Sequence, residues 1–401
     1  MLLGLLQAGL RRVDGRRCVR EALAQPASPG SPPAAHVWVA AIGKAAPAMA
    51  LGAHDALGTA IERTLLITRD GEGLSELSGR DAVEILISAH PLPDERSLAA
   101  GERLLQWVDE LPDAAQPLFL ISGGSSSLVE VPQEGATLRD LEQLTQLSFT
   151  QGMPIGELNA RRAALSRIKG GRLAARLRGR PARALFVSDV PHDDPRVIGS
   201  GLLGPSDAAD CVQRTVVAGV DDAVTAVAAQ ARELGLTVQP PGRRFDDDAA
   251  RLAARFAHQL RLSPAQLCVW GGESTVRLPA RPGRGGRNQH LALAAARLIA
   301  GHTDLMLLAA GTDGIDGVTE DAGALVDSET CARLALAELD PERCLEQADS
   351  ARALAASGDL VHTGPTGTNV GDLVIALKLS AQDANALARR RGGAGPGTGV
   401  R

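Results

Sequence analysis

Aromatic side chains are nearly absent from this chain of 401 residues, which contains no tyrosine and only 2% aromatic residues. Proteins that hold single-stranded nucleic acid commonly stack bases on such side chains. The formal net charge of −5 also lacks the positive excess that attracts a phosphate backbone. Nucleic acid is therefore not expected as a partner. A content of 44% hydrophobic and 22% charged residues is typical of a globular protein.

Cysteine is sparse too, and none of the five cysteines belongs to a Cys-x-x-Cys pair. An odd, scattered set fits neither a disulfide framework nor a zinc site, so we expect reduced cysteines in packing roles. Long hydrophobic runs are also missing. Residues 1–10 are apolar, but they are too few to span a bilayer and no basic segment precedes them. We predict an amphipathic helix running towards Ala24, no membrane partner and a cytoplasmic location.

Lysine is the rarest basic residue, with three copies among 42 Lys and Arg residues. Lys44 and Lys169 lie beside glycines, and Asn159, Asn288 and Asn369 lie in similar polar segments. Lysine is a compact point charge on a flexible stem, whereas arginine is a planar fork. A lysine kept in an arginine-rich sequence therefore indicates a specific role, and phosphate binding is one such role.

Strand and helix patterns alternate through the first half of the chain. Apolar runs predict strands at 37–42, 64–67, 83–87, 117–121 and 184–187, and periodic segments predict helices at 95–111 and 138–150. This alternation predicts a mostly parallel α/β sheet covered on both faces. Polar clusters follow several of these strands, where open α/β sheets bind ligands.

A second α/β pattern follows a change of composition near 205–240. It comprises helices at 223–234, at 246–262 and from Asn288, and strands at 267–270, 305–309 and 373–377. We predict a Rossmann-like domain at 1–215 and a smaller α/β domain at 216–385. A low-complexity tail at 386–401 is expected to be disordered.

The segment after the fourth predicted strand combines two glycines with four serines, from Ser122-Gly123-Gly124-Ser125 to Ser127. Glycines let successive N–H groups converge and hydroxyls add donors, which suits an anion. A plain turn explains Gly-Gly-Ser equally well. The chain has no Gly-x-x-x-x-Gly-Lys-Ser/Thr, so any nucleotide site is not a P-loop. Lys44, after the first strand, would add an ammonium group.

Further polar groups follow. Arg162 and Ser166 share a face at helical spacing, although an exposed charged helix explains each of them singly. Asp189, Asp193 and Asp194 follow a predicted strand. Such carboxylates suit Mg²⁺ or a general base, and capping of a turn is the simpler alternative.

The second half contains three more glycine-rich segments. Gly271-Gly272-Glu273 follows a strand, and residues 283–290 lead into a helix with Arg287 in its first turn, where a cation is unfavourable unless an anion is bound. Thr312 and Asp313 lie in a turn that lacks the spacing of a calcium loop. Another donor-rich turn contains Thr366, Thr368 and Asn369.

Taken in order, these motifs resemble those of the glycerate 2-kinase family, whose C-terminal half carries the signature called MOFRL. The resemblance spans nearly the whole chain. The matching segments are Gly43-Lys44-Ala45-Ala46, His90-Pro91-Leu92-Pro93-Asp94-Glu95, Ser122-Gly123-Gly124, Lys169-Gly170-Gly171, Ser188-Asp189-Val190, Gly271-Gly272-Glu273, Gly285-Gly286-Arg287-Asn288-Gln289, Thr312-Asp313-Gly314-Ile315-Asp316-Gly317 and Gly364-Pro365-Thr366-Gly367-Thr368-Asn369.

The resemblance implies two α/β domains with a cleft between them, and Mg²⁺-dependent phosphorylation of D-glycerate by ATP to 2-phosphoglycerate. It implies catalytic roles for Lys44, Arg287 and Asp189, and Mg²⁺ ligands among Asp189, Asp194 and Asp313. A homodimer is compatible with the sequence. The implied substrate- or phosphate-binding residues are Ser122, Gly123, Gly124, Ser125, Asn159, Lys169, Gly271, Gly272, Glu273, Asn288, Thr312, Asp313, Thr366, Thr368 and Asn369.

Several residues depart from the family pattern, among them Ser125-Ser126, which replaces a Gly/Ser-Ala type of continuation. His192 stands where the family often has glycine, His290 replaces the usual acid after Arg-Asn-Gln, and Trp270 replaces a small residue. A His290 or Trp270 side chain in the cleft would change substrate choice. One alternative function is an NAD(P)H-dependent hydroxypyruvate reductase, but Gly283-x-Gly285-x-x-Asn288 lacks the third glycine of a dinucleotide-binding motif. The other is a sugar-acid or phosphate-binding protein without catalytic activity.

Overall fold

The protein is described by a computed structural model that covers residues 1–25, 35–69, 74–80, 82–151, 155–206 and 210–380. The chain forms two compact units. The parallel-sheet unit contains Leu10–Asp222 and Pro365–Gly371, and the mixed-sheet unit contains Met1–Gly9, Ala223–Gly364 and 372–380. Segment 365–371 thus belongs to a different unit from the residues on either side of it. The domain bounds 1–215 and 216–385 stay a prediction, and the tail at 386–401 lies outside the described residues.

The first unit is built on a six-stranded sheet in which every neighbouring pair is parallel. Its order is β3-β2-β1-β4-β5-β6, the order of a Rossmann fold. All six residues of β1 are buried, as expected for a strand covered on both faces. The strands are β1 Val37–Ile42, β2 Ile61–Thr68, β3 Val83–Ile87, β4 Gln116–Ser122, β5 Ala182–Val187 and β6 Val212–Ala218.

Helices surround this sheet, and one core contains three of the few aromatic side chains. Trp107 packs against Trp38 and Phe119 with ring centroids 5.8 and 5.7 Å apart. The helices are α1 Leu2–Arg12, which begins in the other unit, α2 Gly15–Leu23, α3 Ala46–Leu57, α4 Glu95–Asp109, α5 Ser125–Leu128, α6 Leu138–Gln151, α7 Ile155–Ala164 and α8 Arg172–Arg176.

The second sheet also has six strands, in the order β11-β10-β9-β12-β8-β7, but β7 and β8 are its one parallel pair among the described residues. Its core includes Trp270 stacked on Phe256 at 4.3 Å. The strands are β7 Phe245–Asp248, β8 Leu267–Thr275, β9 Leu305–Gly311, β10 Gly323–Asp327, β11 Leu360–Val361 and β12 Asp372–Lys378. The helices are α9 Val220–Glu233, which begins in the parallel-sheet unit, α10 Ala249–Leu262, α11 Arg287–Ile299, α12 Thr330–Leu336, α13 Pro341–Glu346 and α14 Ser350–Ser357.

These findings confirm the predicted two-part α/β fold with a mostly parallel first sheet. Three element predictions were wrong in detail. The N-terminal helix divides because Asp14 accepts a hydrogen bond from Arg17 N and caps α2. The helix predicted from Asp246 begins at Ala249, because Asp248 ends β7 and caps α10. Strand β8 continues to Thr275. Strands β6, β7, β10 and β11 were not predicted.

Candidate functional site

The carboxyl ends of β1 and β4 meet where the strand order reverses, which is where open α/β sheets bind ligands. The turns after these strands are joined directly. Lys44 N donates to Gly123 O over 2.9 Å, and Ala45 N donates to Ser122 Oγ over 3.0 Å. The fold therefore brings together two of the predicted glycine-rich segments.

Two more of the predicted segments, those that contain Asp189 and Asn369, contact the same turn. The Asp189 carboxylate, just after β5, and the Asn369 amide lie so close to Gly123 that a Cβ there would overlap both. Asn369 Nδ2 donates to Asp189 Oδ2 over 3.1 Å. Gly123 is required here because only a residue without a side chain allows this approach.

The Lys44 side chain lies against the next residue of the turn. A Cβ on Gly124 would lie 3.2 Å from Lys44 Cγ and 3.0 Å from His90 Cδ2. We call Lys44, Gly123, Gly124, Asp189 and Asn369 the switch-point cluster. It places a cation, a carboxylate and a glycine turn in contact, and this combination suits a charged ligand that carries a metal ion.

Lys169 is buried in the interior of the parallel-sheet unit. Its Nζ forms an ion pair with Glu130 Oε2, and the two side chains are 2% and 1% exposed. Glu130 Oε1 also accepts from Ser166 Oγ over 2.5 Å and from Val131 N over 3.0 Å. Burial lowers the pKa of the Lys169 ammonium, and Glu130 opposes this change. The buried ion pair is therefore suited to stabilising the two loop segments that contain Glu130 and Lys169.

The other predicted residues of this unit are placed as follows. Asn159 is buried and accepts from Ser200 Oγ over 2.9 Å. The hydroxyls of Ser125 and Thr368 are buried without a hydrogen-bond partner among the described residues. Thr366 is partly exposed beside the cluster's Asn369 segment. His192 is exposed, with a left-handed φ of 62°.

The three proposed Mg²⁺ ligands differ in their surroundings. Asp194 accepts from Arg196 N over 2.9 Å and pairs with the Arg196 guanidinium, which lowers the pKa of Asp194. Asp313 Oδ1 accepts from Ile315 N over 3.1 Å. Within the described ranges, no group of three or more His, Cys, Asp or Glu residues is arranged to hold a metal ion. Mg²⁺ commonly takes one or two carboxylates together with water and substrate phosphates, and Asp189, against the glycine turn, fits that pattern.

The mixed-sheet unit contains a second polar group, centred on Arg287 at the first position of α11. Its guanidinium pairs with Glu273 and with the buried carboxyl group of Asp372. The two contacts with Asp372 are 2.8 Å from Nε to Oδ2 and 3.1 Å from Nη2 to Oδ1. Asn288 Nδ2 also donates to Asp372 Oδ1 over 3.0 Å. Burial raises the pKa of Asp372, and the positive charge of Arg287 opposes this change.

Asp316 caps the same helix. Its two carboxylate oxygens accept from Asn288 N and Gln289 N over 3.0 and 2.7 Å. Burial raises the pKa of Asp316 to about 7, although these hydrogen bonds lower it. A Cβ on Gly286 would overlap the Asp316 carboxyl group, so glycine is required there. We call Glu273, Arg287, Asn288, Asp316 and Asp372 the Arg287 cluster.

The Arg287 cluster explains how an arginine can occupy the N-terminus of a helix, where a cation is unfavourable. The Arg287 guanidinium pairs with Asp372 and Glu273, so carboxyl groups of the protein itself offset its unfavourable interaction with the helix dipole. Asp316 and Asp372 were absent from the predicted site. Asp316 lies in a glycine-rich segment that the sequence singled out, and Asp372 directly precedes the strand predicted at 373–377, but their burial and their contacts with Asn288 depend on the fold.

The remaining predicted residues of this unit take other positions. Gly271 and Gly272 lie inside β8 and pair with Leu373 and Asp372 of β12. Thr312 and Asp313 follow β9 and are buried. Trp270 is in the hydrophobic core, stacked on Phe256, and burial lowers the pKa of partly buried His290.

No helix among the described residues is long and apolar enough to cross a membrane.

Comparison with known proteins agrees with this architecture. Residues 1–232 match a family model described as a domain of unknown function, DUF4147, and residues 266–372 match the MOFRL family. D-glycerate 2-kinase of Thermotoga maritima is 35% identical over 381 residues, covering 85% of this chain and 90% of that protein. A protein of Agrobacterium vitis named putative hydroxypyruvate reductase is also 35% identical, covering 84% and 85%.

A crystal structure of glycerate kinase from Thermotoga maritima superposes with a TM-score of 0.80 and 32% identity, covering 94% of this chain and 98% of that one. The fold and these matches define a two-unit α/β protein of the DUF4147 and MOFRL type. The chain belongs to the glycerate 2-kinase family, and it is an enzyme of the kinase class. The resemblance found in the sequence is thereby confirmed.

Proposed function

We propose that this protein transfers a phosphoryl group from ATP to the 2-hydroxyl of D-glycerate and so forms 2-phosphoglycerate. The observation that carries the proposal is the switch-point cluster, in which Lys44 and Asp189 lie against adjacent glycines of one turn. Phosphoryl transfer depends mainly on positioning and on charge stabilisation, which a cation, a carboxylate and N–H donors can supply. Both substrates are small molecules, and we place the reaction in the cytoplasm.

Within this proposal, Lys44 stabilises the negative charge of the transferring phosphoryl group. Asp189 would hold Mg²⁺, and the bound ion would neutralise charge on the ATP phosphates. Asn369 fixes the Asp189 carboxylate through its amide. Arg287 is retained as the third catalytic side chain, with its orientation set by Asp372 and Glu273.

The direct test is to incubate the purified protein with ATP, Mg²⁺ and D-glycerate and to distinguish 2-phosphoglycerate from 3-phosphoglycerate by phosphorus NMR. We expect 2-phosphoglycerate, and we expect Lys44→Ala to lower turnover by about 100-fold or more with the fold intact. Lys378→Ala is the matched control, because Lys378 donates to Ser263 O in the other unit. Equal turnover in the wild type and Lys44→Ala would remove Lys44 from the mechanism.

The reductase alternative meets a specific obstacle. A dinucleotide places its pyrophosphate on the N–H groups at a helix N-terminus. At α11, which follows Gly283-x-Gly285, the Asp316 carboxylate already accepts from two of these groups. We therefore expect no oxidation of NADH or NADPH with hydroxypyruvate. Thermal stabilisation by ATP with Mg²⁺ but without any turnover would favour the other alternative, a binding protein without catalytic activity.

A further inference from the structure

Arg162 on α7 is a partly buried cation that has no carboxylate partner among the described residues. Its one side-chain hydrogen bond among the described residues is to Ser126 Oγ at 3.4 Å, and within that part of the chain it forms no ion pair. Burial lowers the pKa of its guanidinium, and the negative charge of Glu130 opposes this change. An arginine remains protonated in such surroundings, so its charge needs compensation.

Glu130 cannot supply that compensation alone. Its carboxylate already pairs with Lys169 and accepts from Ser166 and Val131. Lys169 and Arg162 act on each other as like charges, which lowers the pKa of Lys169 further. Among the described residues, two cations thus share one carboxylate, and one positive charge is left in excess.

A chain of hydrogen bonds leads from Arg162 through the hydroxyl groups of Ser126 and Ser200. Ser200 Oγ donates to Asn159 Oδ1 over 2.9 Å, so its single proton is used there. In the 2.6 Å contact between Ser126 and Ser200, Ser126 is therefore the donor, and its lone pairs face Arg162. This chain of hydrogen bonds holds Ser126 in place beside the guanidinium.

The neighbouring hydroxyl gives an independent indication of a ligand. Ser125 is fully buried, and its Oγ has no hydrogen-bond partner among the described residues. It lies against Gly199, which precedes Ser200, so it borders the same group of hydroxyls. A buried hydroxyl without a partner is costly unless a ligand or water completes its hydrogen bonds.

We propose that Arg162 and Ser125 form a binding subsite for a small oxyanion, the carboxylate of the hydroxy-acid acceptor, and that Ser126 holds the Arg162 guanidinium in place. One excess positive charge matches a monovalent carboxylate better than a phosphate with two negative charges. A planar guanidinium also binds a carboxylate through two parallel hydrogen bonds. This assignment rests on the proposed function for its acceptor. Arg162 is thus a substrate-binding residue that sets preference for hydroxy acids over neutral alcohols.

The test compares Arg162→Gln with Arg161→Gln, which makes the same change one residue earlier on α7. Arg161 is 53% exposed and pairs with Glu157, so it is a matched control. For Arg162→Gln we expect KM for D-glycerate to rise about tenfold or more and KM for ATP to stay within about twofold, because a charge-assisted hydrogen bond to the acceptor is lost. A rise in KM for ATP alone would assign the subsite to phosphate instead and overturn the carboxylate assignment. Unchanged constants would overturn the subsite.

A second measurement separates this proposal from the proposed function. Thermal unfolding of the wild type and both variants is followed with sodium D-glycerate, inorganic phosphate or glycerol as the probe. The subsite predicts stabilisation by D-glycerate but not by glycerol, lost in Arg162→Gln and kept in Arg161→Gln. If the wild type shows this pattern without turnover, the kinase assignment fails and the subsite stands. Normal turnover with equal stabilisation of all three proteins would leave the kinase and refute the subsite.

Discussion

The side-chain amide of Asn369 donates a hydrogen bond of 3.1 Å to Oδ2 of Asp189, although 180 positions separate them in the chain. Segment 365–371 belongs to the parallel-sheet unit, while its flanking residues belong to the mixed-sheet unit. The orientation of the proposed Mg²⁺ ligand therefore depends on a short segment that returns from the second half of the chain.

Gly123→Ala tests whether this arrangement matters for activity. The added methyl group would overlap Asp189 Oδ2 and Asn369 Nδ2, so the carboxylate would have to move. We expect turnover to fall by about 100-fold, a loss that a displacement of about 1 Å can cause. The measurement is the steady-state rate of 2-phosphoglycerate formation. Gly4→Ala is the control, since no atom lies within 4 Å of the position of its Cβ. Equal rates for both variants would argue against a role for Asp189.

The buried pair of Lys169 and Glu130 should dominate the stability of its surroundings. We expect Glu130→Ala to lower the free energy of unfolding by about 3–5 kcal/mol, because it leaves Lys169 buried without a partner. The double variant Lys169→Met with Glu130→Leu should recover most of this loss. Glu21→Ala removes the partner of Arg17 in an exposed pair, and it should cost less than about 1 kcal/mol. Urea unfolding measures all three, and a double variant as unstable as Glu130→Ala would contradict this account.

Asp316 should make stability depend on pH. Its carboxyl group keeps its proton in the folded protein up to about pH 7, whereas the unfolded chain loses it near its ordinary pKa of 3.8. Between these values the folded state binds more protons, so the free energy of unfolding falls as pH rises. We expect the fall between pH 4 and pH 7 to be smaller in Asp316→Asn, by up to about 4 kcal/mol. Parallel pH curves for the two proteins would show that folding does not change the pKa of Asp316.

His192 carries backbone strain, because its φ of 62° is a left-handed conformation. Glycine adopts this conformation readily, so His192→Gly should raise the free energy of unfolding by about 1 kcal/mol. His192→Ala removes the imidazole but keeps Cβ, and it should not stabilise the protein. Thermal unfolding of both variants decides this, and equal melting temperatures would exclude strain as the cause.

Much of the first unit was predictable, because its signals are local. The apolar run at 37–42 forms a strand with those bounds, and the strand at 83–87 is also as predicted. Strand β6 was not predicted: three of its residues, Arg214, Val216 and Val217, are partly exposed, and polar residues interrupt its pattern. The antiparallel pairing of the second sheet also depends on which strands meet, and the order of elements along the chain does not determine this.

For the site, the sequence by itself determined the glycine-rich turns after the strands, the rare Lys44 among arginines and the family. Each of these is a feature of neighbouring residues. Tertiary structure decided which charges are buried and what they contact. Lys169 is matched by Glu130, 39 positions away, and Asn288 meets Asp316 and Asp372 at separations of 28 and 84 positions. Desolvation and ion pairing act between groups that only the folded chain brings together, so these partners and their pKa shifts cannot be read from the order of residues.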